Sequence, residues 1–357
     1  MLPDYPFPAP PAACEIFPVA TGVHWLRMPL PFALNHINLW LLEDGAGWTI
    51  VDTGFALDTV KECWLAILEQ LARSTRGGRV SRIIVTHFHP DHLGLAAWLQ
   101  ERTAAPVCMT VGEYLTAHAV WHEVGGHGNP PMLRQFRAHG LDEERCAALE
   151  RRSGGYNRGV PTLPNSYRRV FDGDELIIGG QRWQVRVGYG HSPEHAALYS
   201  PDLGVLISGD MLLPTISTNI SVFAVTPEAD SLTDYLQSID RYRELPAATL
   251  VLPSHGMPFH GIAGRVDALH AHHEDRLQLL EEHCHVPRSA ADLLPTLFAR
   301  ELDTHQTMFA MGEAIAHLNR LEHAGRVIRS ETGDGRIRFV ASGRAAATNG
   351  SAEDGNG

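Results

Sequence analysis

The sequence predicts an α/β protein built as a sandwich of two sheets, followed by a small module of helices and a hairpin. Three observations predict it. Strand-like and helix-like segments alternate from His36 to about Val107, a run of closely spaced strand signals follows between Arg169 and Ser208, and candidate metal-binding groups fall at strand ends, where loops can be aimed without disturbing a core.

Composition sets the outer limits. The 357 residues are 44% hydrophobic and 20% charged, enough for one large domain and a smaller one. No run approaches the roughly 18 uninterrupted apolar residues of a membrane span, and the Pro-rich stretch Met1 to Pro11 lacks the basic and apolar regions of a signal peptide. A cytoplasmic location away from membranes is the expectation. Cys14, Cys63, Cys108, Cys146 and Cys284 are odd in number, dispersed and without a C-x-x-C pair, so they read as buried or incidental thiols. A formal charge of −12 repels polyanions, which favours a small-molecule partner over nucleic acid.

Taken in order, His36 to Glu43 and Trp48 to Asp52 read as two strands joined by the turn Gly45-Ala-Gly47. Asp58 to Ala72 places Val60, Trp64, Leu65, Ile67, Leu68 and Leu71 at helical spacing. Val80 to Thr86 is a β-branched strand, and a helix from about Leu93 to Glu101 and a short strand near Val107 follow. From Glu113 to Pro164 the pattern breaks into short helical pieces, among them Met132–His139 and a helix capped by Asp142, read as an inserted lid with Trp121, Met132, Leu133 and Phe136 on it.

Strand signals at Arg169–Phe171, Glu175–Ile178, Arg182–Val187, Ala196–Tyr199 and Val205–Ser208 suggest a second, meandering sheet. An amphipathic helix from Asp230 to Leu245, the strand Thr249–Leu252 and a long helix from Ile262 to His283 follow. Helices near Ala290–Phe298 and Gln306–His323, then a hairpin turning at Gly333-Asp-Gly335, form a winged-helix-like module. The expected layout is a Pro-rich segment 1–19, a catalytic domain 20–285 with the lid 113–164, the C-terminal domain 286–344 and a disordered tail 345–357.

The chemistry is concentrated in His87-Phe-His-Pro-Asp-His92, four metal-binding side chains in six residues between a buried strand and a helix. Residues two apart in an extended stretch point the same way, so His87 and His89 can share an ion, while the turn at Pro90 redirects Asp91 and His92 toward a second. His191, Asp210 and His255 follow, each after a strand. Seven imidazole and carboxylate groups suit two borderline divalent ions, zinc first, with manganese or iron also compatible.

These residues carry a family resemblance. His87-Phe-His-Pro-Asp-His92, Gly190-His-Ser-Pro193, Gly209-Asp210 and Ser254-His-Gly256, after Asp52-Thr-Gly54, resemble the signature of the metallo-β-lactamase superfamily over residues 20 to 285. The resemblance implies the αββα sandwich of that superfamily, with His87, His89 and His191 on one metal, Asp91, His92 and His255 on the other, and Asp210 bridging. It also implies a hydroxide held between the metals as nucleophile, with Asp91 and Asp210 as the catalytic carboxylates and Asp91 able to accept a proton. His195 matches a further histidine common in the family, and Asp52 an aspartate that supports the loop; both are expected outside the ligand set, as hydrogen-bonding partners.

Blander readings hold elsewhere. His36, His118, His122, His127 and His139, and His270, His272 and His273 on the long helix, have no ligand spacing and read as solvated or packing histidines. Tyr156 and Arg158 stand in a Gly-rich stretch that could touch substrate from the lid or merely turn the chain.

Three departures narrow the substrate. Met211-Leu-Leu-Pro-Thr-Ile-Ser217 stands where a glyoxalase II is expected to carry a Gly/Cys/Gly/Arg stretch, Leu213 replaces the tyrosine of the acyl-homoserine lactonases, and His89 replaces the glutamate of the flavodiiron branch. The layout also resembles a branch that includes endoribonucleases, but residues 288–344 hold eight Arg against seven Asp or Glu, which is no basic patch. The expected function is hydrolysis of a small thioester or ester, with phosphodiester or RNA cleavage and lactone opening as alternatives. A protein-binding or homodimerising role is the alternative for the C-terminal module.

Overall fold

The computed structural model describes residues 3–32, 34–151 and 155–343. The expected tail 345–357 lies outside the described residues. The chain divides into two compact units, the first of residues 1–121, 154–218 and 237–267, the second of 122–153, 219–236 and 268–357.

The first unit is the sandwich. One sheet runs in chain order through β1 (Phe17–Ala20), β2 (Val23–Pro29), β3 (His36–Glu43), β4 (Trp48–Val51), β5 (Val80–Ile84), β6 (Val107–Met109) and β7 (Arg168–Arg169). Its pairs are antiparallel as far as β4 and parallel from β4 to β7. The other sheet contains β8 (Glu175–Ile178), β9 (Gln181–Gly188), β10 (His195–Ser200), β11 (Val205–Gly209) and β12 (Leu250–Pro253), with only β11 and β12 parallel. Alternate side chains from both sheets, among them Trp25, Trp40, Val51, Ile84, Trp183, Val185, Leu198, Ile207 and Leu252, form one buried cluster. This is how period-two patterning builds a core between sheets.

Helix α1 (Asp58–Arg73) buries Val60, Cys63, Trp64, Ile67 and Leu71 and packs on the first sheet through β2. The short helix α2 (Pro90–Leu93) starts on Pro90, whose missing N–H costs nothing in a first turn, and α3 (Ala96–Thr103) and α4 (Val111–Trp121) follow. Two strands escape the sequence reading: β1 and β2, although in β2 the buried Val23 and Trp25 stand on one face and the buried Leu26 and Met28 on the other, as strand periodicity allows. The strand signal at Arg169 also belongs elsewhere. It is β7, an exposed two-residue edge strand that pairs Cys108 with Arg168 in the first sheet.

The second unit contains α5 (Asn129–Ala138) and α6 (Glu143–Glu150), the latter capped as expected by Asp142, which accepts a hydrogen bond from Arg145 N at 2.8 Å. Leu133 and Phe136, expected on a lid, are buried within this unit, whereas Trp121 belongs to the first and donates to the Val160 carbonyl. A helix over Thr304–His323, opened by an Asp303 capping box, is followed by the antiparallel hairpin Val327–Glu331 and Ile337–Ala341. No helix among the described residues is long and apolar enough to cross a membrane.

The cysteine reading needs correction. Cys14 and Cys63 form a disulfide with Cα atoms 4.7 Å apart, tying the N-terminal segment to α1, while Cys108, Cys146 and Cys284 are free and buried. A separation of 49 residues leaves no local motif to announce the pair. Loop closure of this length stabilises by at most about 4 kcal/mol, so Cys63→Ser should lower the unfolding free energy by up to that amount in a denaturant titration. Thiol counting on unreduced, unfolded chain should return the three free cysteines and no more; five would remove the bond.

Candidate metal centre

Strand direction gathers the site. Parallel β4 and β5 end at the same rim, as do parallel β11 and β12, and the β9–β10 connection turns there as well. Asp52 follows β4, His87 to His92 follow β5, His191 follows β9, Asp210 follows β11 and His255 follows β12. Five ligand-type residues after four separate strand ends, together with Asp91 and His92 on α2, therefore converge although 168 positions separate His87 from His255.

The seven side chains form two groups. In the first, His87 Nε2 lies 2.9 Å from His89 Nδ1 and 3.2 Å from His191 Nε2, and Asp210 Oδ2 lies 3.5 Å from His191 Nε2. In the second, His255 Nε2 lies 3.4 Å from Asp91 Oδ2, and His92 Nε2 lies 3.8 Å from that same oxygen. Asp210 Oδ1 is 3.5 Å from both His92 Nε2 and His255 Nε2, so this carboxylate turns one oxygen to each group.

The residues fit divalent ions. Donors arranged tetrahedrally at 2.0–2.1 Å around an ion stand about 3.3 Å from one another, close to the spacing seen here. Two inward-facing atoms, His92 Nε2 and Asp210 Oδ1, are buried without a hydrogen-bond partner among the described residues. Buried polar atoms are rarely left this way, and a cation would satisfy both.

Hydrogen bonds behind the groups set ring orientation. Asp52, in the left-handed region at φ 61°, accepts from Thr86 N at 2.7 Å, Thr86 Oγ1 at 2.9 Å and His92 Nδ1 at 2.8 Å. With its proton committed to Asp52, the Thr86 hydroxyl oxygen can accept from His87 Nδ1 at 3.0 Å. Both rings then carry a proton on Nδ1 and turn Nε2 inward, toward the donor groups. His255 is oriented similarly, its Nδ1 lying 2.9 Å from the His36 carbonyl. His36, read from sequence as solvated or packing, also accepts from Gly256 N through Nε2 at 2.9 Å.

His195 is fully buried outside both groups, and its Nε2 accepts the backbone N–H of Asp210 at 3.1 Å. Gly209 makes room for this contact, since a Cβ there would stand 2.3 Å from His195 Nε2, and its φ of 53° suits glycine. Tyr156 is largely buried and donates its hydroxyl to the Phe88 carbonyl at 2.7 Å.

Protonation tendencies split between the groups. Burial, reinforced by the neighbouring rings, pushes His87 well below the usual histidine value and His89 to about 3. Burial also opposes charge on His92 and His255, but the carboxylates of Asp52, Asp91 and Asp210 outweigh it for His92, and those of Asp210 and Asp91 carry His255 up to about 10. Burial would raise Asp210, yet His255 and His92 hold it well below the usual carboxylate range.

Thr86 and Glu113 went unmarked in the sequence. Glu113 on α4 is fully buried, and burial lifts its carboxyl to about 7 despite the hydrogen bonds it accepts from Glu194 N, Ser192 Oγ and Phe88 N. Glu113 is the one acidic residue on the largely apolar helix α4, a signal of a buried carboxylate that spacing alone does not link to the ligand cluster; Thr86, next to that cluster, could have been suspected as its hydrogen-bonding support.

A rim of paired carboxylates and imidazoles on a two-sheet sandwich defines a metallo-hydrolase. Residues 34–255 match the metallo-beta-lactamase superfamily and residues 277–342 match the metallo-beta-lactamase-like C-terminal domain. The chain belongs to the metallo-beta-lactamase superfamily. It is 46% identical to a beta-lactamase domain protein from Burkholderia ambifaria of known crystal structure, with TM-score 0.85 over 95% of this chain and 97% of that one. A probable metallo-hydrolase of Bacillus subtilis, YqjP, is 26% identical over 83% of this chain and 91% of its own length. A hydroxyacylglutathione hydrolase of Idiomarina loihiensis is 28% identical over 62% of each protein.

Because Asp52 serves rings in both groups, Asp52→Ala should weaken binding of both ions by about 10–100-fold in a chelator competition. Unchanged affinity for both would show that neither ring needs it.

Proposed function

We propose that the chain hydrolyses a small thioester or ester with two divalent ions, zinc foremost, bound in the two donor groups. The observation that carries the reading is Asp210, which presents one oxygen 3.5 Å from His191 in the first group and the other 3.5 Å from His92 and His255 in the second. A pair of bound ions supplies Lewis acidity for the substrate carbonyl and lowers the pKa of a water toward roughly 7.

The protein's own contribution is positional and protonic. His87, His89 and His191 would hold one ion, Asp91, His92 and His255 the other, and Asp210 both. Asp91 is the more exposed of the two carboxylates, its side chain 19% accessible against 11% for Asp210. In this reading it takes a proton from the attacking water and returns it to the leaving thiol or alcohol, a role its greater exposure supports. His195 keeps the Asp210 backbone in place through the bond to its N–H.

The relative named for hydroxyacylglutathione supports an acyl thioester as substrate class. Glutathione itself is a poor match, because Met211 to Ser217 stands in place of the Gly/Cys/Gly/Arg stretch expected of a glyoxalase II. A smaller or less anionic leaving group fits better.

The test is a hydrolysis screen of metal-loaded protein against acyl-CoA and simpler thioesters, esters, lactones, phosphodiesters and single-stranded RNA. Thioester or ester turnover is expected, and Asp210→Ala should cost more than about 4 kcal/mol of transition-state stabilisation, roughly a thousandfold in rate. RNA cutting with inert thioesters would reverse the assignment. His195→Ala should cost less, about 10–100-fold; a loss as deep as that of Asp210→Ala would place its ring on the reacting atoms.

A further inference from the structure

The two loops that carry the first donor group meet at one buried carboxylate. Glu113 Oε2 accepts from Phe88 N at 2.9 Å, and Phe88 is the residue between His87 and His89. Glu113 Oε1 accepts from Ser192 Oγ at 2.7 Å and Glu194 N at 2.6 Å, one and three residues past His191. The junction is reinforced on both sides. Tyr156 holds the Phe88 carbonyl at 2.7 Å, so both backbone polar groups of the residue between two ligands are fixed. Glu194 returns the bond to the start of α4, accepting from Gly112 N at 2.7 Å, and its carbonyl accepts from Thr110 Oγ1 at 2.8 Å.

We propose that Glu113 is a positioning residue that holds His87, His89 and His191 in register as one donor set. The inference rests on the metallo-hydrolase reading of the site. Glu113 is not itself a donor: it belongs to neither ligand group, and its oxygens are spent on three backbone and side-chain donors. The second group is oriented by other means, His92 by Asp52 and His255 by the His36 carbonyl. Loss of the Glu113 carboxylate therefore acts on one ion and spares the other, a selectivity that a general role in folding would not produce.

The chemistry of an amide sharpens the test. In Glu113→Gln the side-chain oxygen can still accept from Ser192 and Glu194, but the amide nitrogen is turned toward Phe88 N–H, donor against donor. The damage falls on the His87 and His89 loop. Ser192→Ala removes one donor and leaves two, and should act in the same direction more weakly.

The experiment is a zinc titration of the metal-depleted full chain against a competing chelator, with the two binding steps assigned through His89→Ala and His255→Ala. Glu113→Gln should weaken the step that His89→Ala abolishes by about 10–100-fold and leave the other near wild type. Equal weakening of both steps, or of neither, overturns the proposal. Should the Gln variant fail to fold in the metal-free state, Ser192→Ala is judged by the same selectivity. A wild-type chain that holds no ion at all sinks the metallo-hydrolase reading too, whereas two normal sites in wild type and variant alike sink only the role of Glu113.

Discussion

Asp52 sits just past the end of β4 with its backbone in the left-handed region, a conformation that costs a non-glycine residue about 1–2 kcal/mol. Its three hydrogen bonds outweigh that cost, since bonds to a charged acceptor contribute about 1.5–3 kcal/mol each. Through them a single carboxylate ties the end of β5 to the end of β4 and fixes the tautomer of one ring in each donor group, His92 directly and His87 by way of Thr86. Without that anchor the inward rings would be free to turn, and the spacing among the donors would be lost.

Strand direction explains why an anchor at this place can serve the whole site. A sheet that were antiparallel throughout would send the ends of β4 and β5 to opposite rims, as it would β11 and β12. The two parallel pairs instead bring Asp52 beside His87 and Asp210 beside His255. Glycine at 209 and the buried ring of His195 then seat the Asp210 backbone where its two oxygens can diverge. Fold and site are thus linked through backbone direction before any side chain is considered.

Much of this was legible in the sequence, for identifiable reasons. The ligand cluster after β5 is local, and its six residues announce themselves through spacing alone. His191, Asp210 and His255 each follow a β-branched run, so strand periodicity places them at ends even where tertiary contacts are unknown. What stayed hidden depends on contacts between distant segments: the pairing of Cys14 with Cys63, the reach of Glu113 from a helix to two loops, and the use of the His36 backbone. The edge strand β7 was assigned to the wrong sheet because two residues of extended chain carry no information about their partner. β2 is different, since Val23 and Trp25 on one face and Leu26 and Met28 on the other make a strand buried on both sides, and that signal was present but unread.

The two donor sets are unequal in charge, and this asymmetry bears on how the site fills. The first offers three rings and one oxygen of Asp210; the second offers two rings, the other oxygen and Asp91. The protonation tendencies follow the same division: His87 and His89 are held in the neutral form, whereas the carboxylates draw protons onto His92 and His255. Neutral imidazole is the form that binds a cation, and burial favours that form in the first set while the carboxylates oppose it in the second. The carboxylates that attract a proton attract a dication more strongly, so the extra negative charge of the second set favours a cation in place of protons. The second set therefore draws a cation chiefly through charge, and the first through how well its three rings are held together.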